Sequence, residues 1–185
     1  LDQMTTNGIS FDDALTSAKD LGYAEADPTL DINGTDAAHK ISILASMVYR
    51  INLPLNKIFI QGIEDITPMD IKYAIELGYS IKHVGITRKA KNSIECMAHP
   101  VLVPKENIFS NVKGVMNSIL IKGDRFGTSM LYGNGAGGGA TASAVVSNLV
   151  EAYNFINGKD YSSQNMRDNF GINESSIKNY ESIKS

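Results

Sequence analysis

The densest set of residues able to do chemistry lies between Gly22 and Lys40. Glu25, Asp27, Asp31 and Asp36 fall within twelve residues, and Lys40 follows Asp36 by four positions. Four-residue spacing puts Asp36 and Lys40 on one face of a helix, while Glu25, Asp27 and Asp31 belong to the segment entering its positive N-terminal end. Carboxylates beside one lysine suit a substrate that bears an ammonium group. The carboxylates orient the amine, and a lysine whose pKa is brought down by burial exchanges a proton with a reacting oxygen. The residues alone leave a plainer alternative open: a surface ion pair worth ~0.3–0.5 kcal/mol beside a solvated Asp/Asn/Gly loop. A calcium loop is disfavoured, because Gly34 is misplaced for the EF-hand spacing and no bidentate Glu follows where that loop needs one.

A second feature is Gly133-Asn134-Gly135-Ala136-Gly137-Gly138-Gly139. It satisfies G-x-G-x-x-G between a predicted strand and a predicted helix, where backbone amides could approach a phosphate or a cofactor amide. A Rossmann fingerprint also needs a second strand ending in an acid about twenty residues on. Here Glu151 falls inside the helix and the tail is polar, so a standalone dinucleotide fold is not expected. Nucleotide contact and a tight turn both remain open for the cluster. His39, His83 and His99 have no metal-ligand partner at useful spacing, so they read as structural and no metal is expected. Cys96, the only cysteine, reads as a small buried apolar residue.

Elements must position these residues. Ser10 caps a helix over about 11–21 whose apolar residues Phe11, Ala14, Leu15, Ala18 and Leu21 recur at helical spacing. The first ten residues show neither strand nor cap. Tyr23 to Thr35 reads as a long ordered loop, followed by a helix from about Asp36 to Arg50. Lys57 to Ile63 reads as a strand, and Thr67-Pro68 opens a helix that stops at Gly78. Ser80 to Arg88, Ser93 to Val103, Val115 to Lys122 and Thr128 to Tyr132 are strand candidates, with 123–127 as a hairpin turn. Ala140 to Phe155 is a last long helix. The expected class is α+β: a mixed or mostly antiparallel sheet with helices on one face. Residues 1–156 form the domain, and 157–185 a polar tail or peripheral helix.

Composition bounds the partners. The chain has 185 residues, 43% hydrophobic and 20% charged, enough for a self-sufficient core. Seventeen basic residues against twenty acidic ones leave a net charge of −3, so nothing favours nucleic acid or an anionic membrane surface. No apolar run approaches the ~18 residues of a membrane span. A lone cysteine and no signal pattern make a cytoplasmic location the expectation.

The 22–40 segment resembles the signature of homoserine dehydrogenases. The matching residues are Ala18, Gly22, Asp27-Pro28, Asp31-Ile32, Gly34, Asp36 and Lys40. The resemblance continues through Gln61-Gly62-Ile63, the stretch Ile81 to Ile86, Gly123-Asp124 and Gly133 to Ser143, and covers about residues 1–155. It implies a catalytic domain that takes part in nicotinamide-dependent interconversion of L-homoserine and L-aspartate 4-semialdehyde, in threonine, methionine and isoleucine biosynthesis. By resemblance Lys40 is the proton donor to the aldehyde oxygen and Glu25 holds the substrate ammonium. Asp36 contacts substrate and restrains Lys40, while Tyr23 and Asp31 line the pocket. Gly22 and Gly137 approach the nicotinamide end of NADP or NAD. Family enzymes carry an N-terminal Rossmann domain and a further lysine that this chain lacks. The expectation is therefore a fragment or separate domain, inactive alone, that pairs as a homodimer through its sheet face. A non-catalytic oligomerisation or amino-acid-binding module derived from that domain is the competing expectation.

Overall fold

A computed structural model describes residues 1–24, 26–135 and 137–157. Among these residues the helices are α1 (Asp2–Asn7), α2 (Phe11–Asp20), α3 (Thr29–Ile32), α4 (Thr35–Tyr49), α5 (Pro68–Glu76) and α6 (Gly138–Ile156). The strands are β1 (Phe59–Ile60), β2 (Tyr79–Ala90), β3 (Ser93–Pro104), β4 (Met116–Gly123) and β5 (Gly127–Asn134). The α+β class with mixed and antiparallel strands holds. The strands divide, however, into a three-stranded sheet of order β1-β3-β2 and a separate β4–β5 hairpin. β1 runs parallel to β3, and β2 pairs antiparallel with β3 along its full length, from Tyr79 opposite Pro104 to Ala90 opposite Ser93.

Alternation along β2 places both major helices on one face of this sheet. Ile81 packs in one core with Met4, Ala14, Ile71 and Ala74, which joins α5, α1 and α2 to the strand. Two pairs further along the same face, a Cβ at Gly85 would stand 3.0 Å from Ile41 Cβ and 3.4 Å from the Ala37 carbonyl oxygen, so α4 lies almost against the backbone of β2. Ala38 and Ala45 on α4 have no exposed surface and pack in a second core with Ile41, Ile94, Cys96 and Ala98. Small residues at the contact allow this approach, because each added methylene would have to be accommodated in a close-packed interior. α4 is further held by Ser42 Oγ, which donates to Leu53 O at 2.6 Å, and by Ser46 Oγ, which accepts from Leu53 N at 3.3 Å.

Several expectations shift in detail. The opening residues form α1, whose Gly8 cap turns in the left-handed region at φ 66° and donates its N–H to Met4 O. Tertiary contact with α5 supports this single turn, which isolated propensity would not. The 23–35 segment contains α3, because Asp27 Oδ1 accepts from the Thr29 amide at 3.1 Å and from Thr29 Oγ1 at 2.5 Å. The expected 57–63 strand shrinks to β1, with a 3-10 turn at Leu55–Lys57 before it and Gly62 pressed against the α3–α4 junction after it. The helix opened by Thr67-Pro68 forms as read, with a full capping box between Thr67 and Asp70. Residues 158–185, nearly all of the expected tail, lie outside the described residues.

Candidate active site

The site is built around the start of α4. Asn33 Oδ1 accepts from the Thr35 amide at 2.9 Å, and Gly34 turns the chain into the helix at φ 85°. Asp36 stands in the first turn, where the helix dipole favours a negative charge. Lys40 follows one turn later, and its Nζ donates to Asp36 Oδ2 at 2.6 Å. Both side chains are open to solvent, Lys40 at 60% and Asp36 at 41%. Such a pair adds little to folding stability, of order 0–1 kcal/mol. What it does supply is a cation and a carboxylate held in register on a rigid, alanine-packed helix, the kind of element on which a reacting group keeps its geometry.

The floor beneath α4 consists of backbone and one imidazole. The Ile63 amide donates to Ile32 O at 2.8 Å, and a Cβ at Gly62 would fall 2.4 Å from that same oxygen. His83 Nε2 donates to Gln61 O at 2.9 Å. Burial holds the imidazole of His83 below its ordinary pKa; the bond to Gln61 opposes this in part, and the nearby His99 lowers it further.

The other expected site residues sit on separate elements. Gly22 carries the chain out of α2 at φ 71°, with its amide on Lys19 O and that of Tyr23 on Ala18 O. Tyr23 is 52% exposed. Asp31 lies on α3, which packs against α4. Gly137 caps the start of α6 at φ 111°. Among the described residues no hydrogen bond or ion pair links Gly22, Tyr23 or Gly137 to the Asp36–Lys40 pair. Glu25 lies outside the described residues. Asp27, counted among the acidic loop residues by sequence, is occupied by Thr29, the first residue of α3, and its bonds from Thr29 hold its carboxyl below the usual range. Among the described residues no group of three or more His, Cys, Asp or Glu side chains is placed to hold a metal, and no helix is long and apolar enough to cross a membrane.

Sequence spacing gave no reason to place Gln61, Gly62 or His83 beneath α4. The readable signal for His83 is parity: it shares the strand face of Ile81 and Gly85, which face the helices. The glycines at 22 and 137 have nothing within 4 Å of an added Cβ. The described residues contain no strand–glycine-turn–helix unit feeding a parallel strand, because the glycine cluster joins antiparallel β5 to α6.

The fold is an α+β domain that presents a lysine–aspartate pair from the first turns of a central helix. Residues 1–150 match the family model described as homoserine dehydrogenase, and the chain belongs to that family. It is 51% identical over 151 residues to a homoserine dehydrogenase of Helicobacter pylori, covering 82% of this chain and 36% of that protein. It is 46% identical over 151 residues to the one from Pseudomonas aeruginosa, covering 82% and 35%. The crystal structure of a homoserine dehydrogenase from Thiobacillus denitrificans superposes with a TM-score of 0.77 at 49% identity, over 81% of this chain and 35% of that one. A hyperthermophilic archaeal homoserine dehydrogenase mutant in complex with NADPH aligns at a TM-score of 0.62 and 29% identity, over 82% and 42%. The chain spans about a third of the length of the curated relatives it matches.

Proposed function

We propose that this chain is the catalytic portion of a homoserine dehydrogenase. In this reading it interconverts L-homoserine and L-aspartate 4-semialdehyde in the cytoplasmic synthesis of threonine, methionine and isoleucine. The observation that carries the reading is the Lys40–Asp36 pair at 2.6 Å on a rigid helix, at the lysine and aspartate positions of the family signature. A bound NADP or NAD supplies the hydride chemistry, with the rest of its site contributed by a part of the protein outside this chain. In the reducing direction the aldehyde carbon gains a hydride while its oxygen takes a proton from the Lys40 ammonium, leaving homoserine and a neutral lysine. In the oxidising direction Lys40 takes the hydroxyl proton back. Asp36 keeps the ammonium of Lys40 in one place and contacts the substrate, and Glu25 holds the substrate ammonium. Tyr23 and Asp31 border the pocket, and Gly22 and Gly137 let the nicotinamide end approach. The isolated chain is inactive in this reading.

The test is homoserine-dependent nicotinamide reduction by the full reading frame and by its Lys40→Ala variant. The proposal expects kcat to fall by a factor of 10² or more in the variant, the scale of lost general acid–base catalysis. An active parent with an equally active variant would remove Lys40 from proton transfer. A folded but inactive parent would favour the binding-module reading.

A further inference from the structure

The start of α4 is where small movements matter, because Asp36 lies two residues beyond Gly34 and Lys40 one turn further on the same rigid helix. Gly34 leaves no slack: a Cβ there would stand 3.0 Å from Gln61 O, 3.0 Å from His83 Nε2 and 3.2 Å from His83 Cε1. The imidazole therefore touches both partners of the junction. It donates a proton to Gln61 O at 2.9 Å, and it forms the wall against which the Gly34 turn rests. Gln61 is in turn locked to the sheet, since its amide donates to Ala98 O at 2.9 Å, and Ile63 locks the same strand to Ile32 O. His83 itself is fixed by its place in β2, opposite Pro100 in the β3 ladder. A continuous path thus runs from the central sheet through one ring to the helix cap.

We propose that His83 is a positioning residue for the Asp36–Lys40 pair: by bonding Gln61 and buttressing Gly34 it sets where α4 begins. The inference deepens the dehydrogenase reading of the site and rests on it for its catalytic consequence. Its geometric content, the anchoring of the first turn of α4, does not depend on which substrate binds. A Gln side chain can offer an N–H at about the distance of Nε2, whereas Leu fills the space without a donor, so the two variants separate bonding from bulk. Loss of the bond leaves the Gln61 carbonyl without its imidazole donor and frees the cap to drift. A displacement of about 1 Å at a reacting group costs up to ~10²-fold in rate.

The experiment uses the full-length protein with His83→Leu and His83→Gln, read in two ways. Hydrogen–deuterium exchange of the amides of residues 35–38 is expected to rise about tenfold or more in His83→Leu and to stay near the parent in His83→Gln. Unchanged exchange in His83→Leu overturns the proposal whether or not the protein turns over homoserine. In the homoserine assay, His83→Leu is expected to lower kcat at least tenfold with KM for homoserine changed less than threefold, and His83→Gln to restore most of kcat. Equal losses in both variants, tracking a common fall in melting temperature, would make His83 a core residue only and overturn the proposal. A parent that protects α4 through His83 but shows no homoserine turnover would overturn the dehydrogenase reading and leave the anchoring role standing.

Discussion

Gly62→Ala is the sharpest perturbation of the platform that carries the site. The new Cβ would stand 2.4 Å from Ile32 O, 2.8 Å from Asn33 Cα and 3.1 Å from Asn33 C. All three are backbone atoms and cannot rotate away. Reaching ordinary contact at 3.4 Å from a start of 2.4 Å requires a separation of about 1.0 Å between the strand end and the α3–α4 junction. A shift of that size stretches the 2.8 Å bond from the Ile63 amide to Ile32 O beyond useful range. Overpacking of this kind costs about 1–3 kcal/mol, and the lost bond a further ~0.5–1.5 kcal/mol. Alanine returns ~0.4–1 kcal/mol by restricting the unfolded chain, since Gly62 has no positive φ to lose. The net expectation is a loss of about 2 kcal/mol, or ~4–8 °C in Tm for a domain of this size. Gly133→Ala is the control, with nothing within 4 Å of its Cβ and no positive φ. Thermal unfolding followed by circular dichroism measures both. A Gly62→Ala protein that melts at or above the Gly133→Ala protein would refute the close approach and, with it, the view that this strand end braces α4.

Two further expectations concern pH and assembly. Because burial lowers the pKa of His83 in the folded protein, the unfolded chain binds the proton at higher pH. The stability from the neutral ring is fully present above the ordinary histidine value near 6.5 and is lost as pH falls below it towards the folded value. Denaturation midpoints taken from pH 7.5 down to 5 should decline, and the decline should be shallower in His83→Gln; parallel slopes would contradict the assignment. The β4–β5 hairpin leaves Ile121 at 44%, Leu131 at 62% and Phe126 at 63% exposure, an apolar surface that supports the proposed homodimer. Sedimentation should give a dimer for the parent protein and a monomer for Leu131→Asp, and an intact dimer in the variant would take this hairpin out of the interface.

Where local chemistry decides an element, the residues showed it directly. Thr67-Pro68 followed by Asp70 has the donors and acceptors of a capping box, and the helix begins there. The runs read as strands at 80–88 and 93–103 do pair, antiparallel and in a register that extends over 79–90 and 93–104. Asp36 and Lys40 meet because 3.6 residues complete a turn, which no tertiary context is needed to predict. The family signature was legible for the same reason: its residues are close in sequence. The α1 turn and the shortening of β1 were not legible, since one depends on contact with α5 and the other on backbone atoms of the α3–α4 junction.

Sequence by itself therefore determined the α+β class, the acid–lysine pair and the helix that holds it. Tertiary structure alone decided what lies beneath that helix. Gln61, Gly62 and His83 lie 27 to 49 positions beyond Gly34, and only β-sheet pairing and alternation bring them under it. Periodicity in a sequence encodes which face a residue takes, but not which distant backbone that face will meet. The same physics turned Asp27 onto the Thr29 amide and left Lys40 exposed: a carboxylate bonds the nearest free amide, and a helix buries only the stripe that its sheet can cover.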